Sequence, residues 1–277
     1  VRKMVKLTLI QGDALNILPR IPDESVDLVV TDPPYNISQE SKRLTRSNLL
    51  SSMHKRQADI LLDFGEWDRK DEEKYKKFTE QWFLECKRVM KQKAWFFSFF
   101  SKERIGFFTD PINGFFVKNG FKTRTVITWC KTNPTPSFRK MNFLSATEFI
   151  VVGSKGKAKI TNFLEQKNMK NYFMTPNSSV WQETQHPTEK PITLIKWIIR
   201  ICSNENDTIL DPFLGSGTTM KACLELKRNC IGCEINPEYI NITKKRLNWG
   251  YSLGDIQFEF YTEDEFKEVF EDEIKSR

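Results

Sequence analysis

Between Thr208 and Glu234 the chain passes through an apolar β-forming stretch, a glycine turn, a helix and a second β-stretch that ends in an acid. This feature restricts the fold more than any other, because strand, helix and strand joined in this way close as a right-handed crossover in a parallel sheet. Residues 208–211 read as the first strand, 216–226 as the helix and 229–234 as the second strand. The turn reads Asp211-Pro212-Phe213-Leu214-Gly215-Ser216-Gly217-Thr218-Thr219. Its glycines permit a tight turn and close backbone approach by a ligand, and the helix start offers N–H groups. Glu234 ends the next strand, where a carboxylate accepts hydrogen bonds from ribose hydroxyls. The order points to an adenosine-containing ligand. Met220 stands where the dinucleotide fingerprint has a third glycine, which weighs against NAD or FAD. No lysine follows Gly217, so the turn is not a phosphate-cradling nucleotide loop.

A second strand end carries chemistry. The apolar run 26–30 leads into Thr31-Asp32-Pro33-Pro34-Tyr35-Asn36. Two prolines stop the ladder, since neither can donate an N–H and both fix φ. A carboxylate, a stiff turn and an aromatic ring therefore share the carboxyl end of a strand, the edge where open α/β sheets bind ligands. Asp32 and nearby carbonyls can accept hydrogens from an amine, and Tyr35 offers a flat face to a planar ring.

Strands are expected at 6–10, 94–100, 121–129 and 147–152, and helices at 14–18, 71–90, 191–202 and 237–247, with a broken helix across 103–119. Tyr75, Phe78, Trp82, Cys86, Val89 and Met90 share one helical face, a core stripe. Strands alternating with helices predict a doubly wound, mostly parallel α/β sheet. The 22 Phe among 277 residues supply a large core, and no apolar run is long enough to span a membrane, so the chain reads as cytoplasmic. The six cysteines lie mostly in apolar segments. Cys230 and Cys233 form a Cys-x-x-Cys without a second pair at zinc spacing, so no metal is expected.

The net charge is +7, and the stretch from Thr262 carries seven acids against three bases, a net of −4 that leaves +11 elsewhere. Such a surplus suits a polyanionic partner. It concentrates in two segments. The first, within 38–68, holds Lys42, Arg43, Arg46, Lys55 and Arg56; the second, within 131–180, holds Lys131, Arg139, Lys140 and five lysines between 155 and 170. The organisation expected is a catalytic domain over 1–250 with these two basic inserts, and an acidic tail over 251–277.

Taken together, the motifs at 32–35 and 211–219 resemble the catalytic and cofactor motifs of the DNA amino-methyltransferases that use S-adenosylmethionine. His186-Pro187-Thr188-Glu189-Lys190-Pro191 resembles the family segment that closes over the cofactor's methionine end, although many relatives have Gln at position 189. The segment 128–134 resembles one beside the target base. The catalytic motif comes first and the cofactor motif last, the order of the circularly permuted β-class. The resemblance implies a Rossmann-like methyltransferase fold, S-adenosylmethionine as cofactor, double-stranded DNA as partner, and methyl transfer to adenine N6 of a flipped base, with cytosine N4 the alternative. An RNA target and a non-catalytic nucleic-acid binder are more distant readings. It places Asp32, Pro33, Pro34 and Tyr35 in catalysis. Around the cofactor it places Asp13, Asp211, Phe213, Gly215, Ser216, Gly217, Thr218, Glu234, Thr188 and Lys190. On DNA it expects the basic residues named above, with Arg43, Arg46 and Arg139 able to read guanine edges. It also admits a homodimer and a cognate restriction endonuclease acting on the same site.

Overall fold

The computed structural model describes residues 4–35, 72–134, 143–176, 189–250 and 254–275, with side chains through 269. Contacts divide the chain into two units, one of Val1–Pro33 with Trp82–Arg277 and the other of Pro34–Gln81.

The larger unit is built on a nine-stranded sheet in the order β6-β4-β5-β3-β2-β7-β8-β1-β9. The strands are β1 (Val5–Gln11), β2 (Val26–Thr31), β3 (Met90–Phe100), β4 (Phe121–Lys131), β5 (Thr147–Lys155), β6 (Tyr172–Thr175), β7 (Thr208–Asp211), β8 (Asn229–Glu234) and β9 (Ile256–Thr262). Only β5 runs against its neighbours β3 and β4; every other pairing is parallel. The central strands are covered on both faces. Leu28, Val29, Ile209 and Leu210 are fully buried, as near-continuous apolar runs in a parallel sheet require.

The helices are α1 (Ala14–Ile17), α2 (Glu72–Val89), α3 (Ile105–Thr109), α4 (Phe115–Lys118), α5 (Ile192–Cys202), α6 (Thr218–Leu226), α7 (Pro237–Arg246) and α8 (Glu263–Lys275). The second half of α2 lays Trp82, Phe83, Cys86 and Val89 into the core. Trp82 stacks on Phe96 at 6.1 Å, and Phe83 meets Phe96 edge-on at 5.3 Å. Phe108, Phe116 and Phe121 extend this aromatic block to α3, α4 and β4. The broken helix expected across 103–119 is two short helices. Between them the Asp110 carboxylate accepts from the N–H groups of Ile112 and Asn113, and Gly114 turns where a Cβ would meet the Asp110 and Phe108 backbone.

Two strands escape the sequence reading. β6 lies in the second basic segment, where no strand was assigned, and adds to β4. β9 lies in the region expected to be an acidic tail. It pairs with β1 along its whole length, from Val5↔Ile256 to Gln11↔Thr262. The folded domain therefore continues past residue 250. α8 follows directly, and its Phe266 packs with Tyr261 against Ile10, Ile17 and Cys233.

In the smaller unit, the described residues are Pro34, Tyr35 and the first turns of α2. There the Tyr75 hydroxyl donates to the Pro34 carbonyl at 3.0 Å, which ties the proline turn to the helix. The first basic insert lies outside the described residues, with Lys42, Arg43, Arg46, Lys55 and Arg56. So do Arg139, Lys140 and Thr188.

Candidate functional site

β2 leads the chain toward β3 on one side, and β7 leads it toward β8 on the other. The two are adjacent and parallel, with Leu28↔Ile209 and Val29↔Leu210 in register. Their boundary is a topological switch point, and its carboxyl edge is where such sheets form a ligand crevice. Four neighbouring strands end there in acids or are followed by them: Asp32 after β2, Asp211 on β7, Glu234 on β8 and Asp13 after β1.

The cofactor-like turn is held from inside. Gly215 and Gly217 have φ of +57° and +81°, left-handed values that other residues rarely adopt. The Glu234 carboxylate accepts from the Gly215 N–H at 2.8 Å and from the Asn236 N–H at 2.7 Å. Burial pushes Glu234 up from the ordinary carboxylate range, and these backbone donors oppose the shift. Each carboxylate oxygen has two acceptor sites, so both Glu234 oxygens keep one for a donor such as a ribose hydroxyl. Asp211 is fully covered. Burial pushes its carboxyl up to about 7, the Thr219 hydroxyl and Phe213 N–H pull it down, and the nearby Asp32 charge adds to the rise. Phe213 meets Trp82 edge-on at 5.5 Å, which anchors the turn to the aromatic block.

A glycine expected to admit a ligand also serves the protein. A Cβ on Gly217 would stand 2.7 Å from Thr243 Oγ1 and 2.8 Å from Thr243 Cγ2. Thr243 belongs to α7 and donates to the Gly215 carbonyl at 3.2 Å. Arg246, one turn further along α7, donates to the Thr218 hydroxyl at 3.0 Å and to the Ser216 carbonyl at 3.3 Å. Its other nitrogen donates to Glu189 at 2.7 Å, and both side chains are almost wholly buried. Glu189, to which the sequence assigned no role, thus ties residues 189–191, just ahead of α5, to the turn.

At the same carboxyl edge, just after β1, Asp13 caps α1 by accepting from the Leu15 N–H at 2.9 Å. Its own N–H donates to Glu263 of α8 at 3.1 Å.

Beside Asp32 lies a chain of alternating charges. Lys190 Nζ stands 2.7 Å from Asp32 Oδ2 and 3.4 Å from Glu148 Oε2. Lys131 Nζ stands 2.7 Å from Glu148 Oε1. Lys190 is buried and sits 5.0 Å from the Phe99 ring centre. Burial by itself would lower its affinity for the proton, but Asp32 and Glu148 outweigh burial and hold the ammonium above the usual lysine range. Burial likewise raises Glu148, and Lys190 and Lys131 overcome it, so the carboxylate stays below its usual value. Lys131, expected on phosphate, is engaged by Glu148 and has a side chain only 13% exposed.

Glu148, Glu189, Thr243, Arg246 and Glu263 were not singled out as site residues by sequence. Glu148 did leave a trace, an acid next to the apolar run Phe149-Ile150-Val151-Val152. Among the described residues no cluster of His, Cys, Asp and Glu could hold a metal, and no helix is long and apolar enough to cross a membrane.

Comparison with known proteins shows the family. A family model described as DNA methylase, of the N6/N4 type, matches residues 26–245. Type II methyltransferase M.HinfI of Haemophilus influenzae is 34% identical over 87% of this chain and 68% of its own length. Type II methyltransferase M2.MboI of Moraxella bovis is 30% identical over 86% of both chains. Among solved structures, the M1.HpyAVI complex with SAM superposes with a TM-score of 0.65 at 28% identity, covering 87% of this chain and 99% of that one. PvuII methyltransferase, a cytosine-N4 enzyme, shares the fold with a TM-score of 0.63 at 19% identity, over 100% of this chain and 96% of its own.

Proposed function

This chain belongs to the N6/N4 DNA methylases, and from that premise we propose that it transfers the methyl group of S-adenosylmethionine to the N6 amine of adenine in double-stranded DNA. The observation that supports the reading is the parallel pairing of β2 with β7, whose carboxyl ends lead into the Asp32 turn and the Asp211–Thr219 turn on neighbouring strands.

Glu234 would hold the cofactor's ribose, Asp13 would lie beside its adenine, and the Gly215–Gly217 backbone would shape the pocket for its methionine part. The bound cofactor supplies a methyl group on a positively charged sulfur. An amine conjugated to a ring is a weak nucleophile, because its lone pair is delocalised. Asp32 and the Pro33 carbonyl would accept its two hydrogens, favouring a pyramidal nitrogen and stabilising the positive charge that grows as the new N–C bond forms. The target base must leave the duplex, at a cost of a few kcal/mol. Stacking on Tyr35 would offset roughly 1–3 kcal/mol of that. Asp in the first position of the catalytic motif favours adenine over cytosine. The basic inserts would grip phosphates and make affinity salt-dependent. The relatives named above are Type II enzymes, so a nuclease cutting the same sequence fits this reading.

The test is incubation with methyl-labelled S-adenosylmethionine and unmethylated genomic DNA, beside Asp32→Ala, followed by digestion to nucleosides. Label on N6-methyladenine, absent with Asp32→Ala, is the expected result. Label on N4-methylcytosine would overturn the target base and keep the transfer chemistry.

A further inference from the structure

We propose that Lys190 is a positioning residue for the Asp32 carboxylate, and that Glu148 is the anchor that holds Lys190 in place. The inference rests on the methyl-transfer reading above and adds to it the group that orients the amine acceptor.

The geometry is specific. Asp32 leaves the carboxyl end of β2, and Lys190 lies just ahead of α5. Lys190 Nζ takes one oxygen, Oδ2, at 2.7 Å. A carboxylate pinned at one oxygen cannot rotate freely, so its other oxygen keeps a fixed direction. The ammonium itself is placed by Glu148 at 3.4 Å and by the face of Phe99. Glu148 is fixed in turn by Lys131 at 2.7 Å. The four charges alternate in sign along this chain.

The antiparallel strand explains how Glu148 reaches this place. Every parallel strand of the larger unit presents its carboxyl end to the crevice. β5 is reversed, so its first residues point there instead, and Glu148 is the second residue of β5. Trp129↔Glu148 pairing sets it level with the end of β4, two residues before Lys131.

Stability is a poor reason for such a chain. Burying ion pairs costs desolvation that their attraction repays only in good geometry, and apolar replacements are often as stable. A carboxylate that must stay ionised and aimed at an amine is a better one. Among the described residues, the charged groups facing Asp32 include Lys190 and, from β7, Asp211; Glu148 and Lys131 stand behind Lys190.

The experiment measures single-turnover methylation of DNA, its pH dependence, and S-adenosylmethionine affinity by titration, for wild type, Glu148→Gln, Lys190→Met and Lys190→Arg. Lys190→Met should lose roughly 100-fold in rate. Its acid limb should move up by about 1–3 pH units, because Asp32 loses the adjacent cation. Lys190→Arg should return the limb toward wild type. Glu148→Gln should lose about 10-fold in rate. Cofactor affinity should stay within about 3-fold in Glu148→Gln, well under its rate loss. If Lys190→Met does not fold, the isosteric Glu148→Gln decides alone. Wild-type rate in Glu148→Gln, an unmoved acid limb in Lys190→Met, or a rate loss in Glu148→Gln that follows cofactor affinity would overturn the proposal. Wild-type protein that binds the cofactor but labels no DNA would instead overturn the methyl-transfer reading, and this proposal with it.

Discussion

Gly217→Ala tests whether the 211–219 turn is shaped by the protein or left open for a ligand. An alanine at φ +81° gives up the freedom of glycine, at about 1–2 kcal/mol. Its Cβ would also stand 2.7 Å from Thr243 Oγ1 and 2.8 Å from Cγ2. Thr243 is fully buried on α7, so it cannot swing into solvent. Forcing the two apart costs about 1–3 kcal/mol by the overpacking rule. The expected loss in stability is therefore about 2–5 kcal/mol in all. Thr243→Ala alone loses the hydrogen bond to the Gly215 carbonyl, about 1 kcal/mol. The double variant should be less destabilised than the two losses added, because the methyl and hydroxyl that meet the new Cβ are gone. Urea melts of all four proteins give the coupling energy, expected at about 1–2 kcal/mol in the relieving direction. A cycle additive to within about 0.5 kcal/mol would refute the steric argument. So would a Gly217→Ala protein of wild-type stability that fails only to bind S-adenosylmethionine, since the glycine would then serve the ligand alone.

Arg246→Met should destabilise the fold by about 3–5 kcal/mol, because it strands a buried Glu189 carboxylate. Adding Glu189→Gln should recover part of that loss in chemical denaturation, and equal losses in the single and double variants would contradict the pairing. Asp211 has its folded-state value raised from 3.8 to about 7, so its contribution to stability is full below the unfolded value and is lost as pH rises through the folded one. Asp211→Asn lacks that loss, and its stability relative to wild type should climb from about pH 4 to about pH 8 in urea midpoints. A difference that is flat with pH would show that the carboxyl is not desolvated. Phe266→Ala should cost about 1–3 kcal/mol, since it opens the cluster with Ile10, Ile17 and Cys233. Val269→Ala, at an exposed position of the same helix, should stay within about 0.5 kcal/mol; thermal melts that rank the two the other way would refute the docking of α8.

The doubly wound sheet was legible because its strands are short apolar runs ended by Gly, Pro or an acid, and its longer helices carry one apolar stripe. Residues 26–30 and 208–211 illustrate this: both are buried strands, and both motif turns follow where expected. β6 was hidden because Tyr172–Thr175 is short and sits among lysines. β9 was hidden for a different reason. Its alternation of Ile256, Phe258 and Phe260 was present, but the acids that follow drew the boundary forward. The acids at strand ends were readable because each ends a local pattern. The partners in the site were not, because Lys190 with Asp32, Arg246 with Glu189 and Glu263 with Asp13 meet only through tertiary contact. Sequence spacing holds no trace of pairs separated by 57 residues or more.

β1 has a consequence for how the protein is made. It lies between β8 and β9, with Leu7 opposite both Cys230 and Phe258. At ribosomal rates of about 5–20 residues per second, its two neighbours emerge on the order of ten seconds or more after it does. Throughout that interval the nascent chain carries Val5, Leu7, Leu9 and Ile10, all buried in the finished sheet, with neither flank hydrogen-bonded. Such a segment is a natural client for chaperones that bind extended apolar peptide. It is also the place where crowding on a polysome would first turn into aggregation.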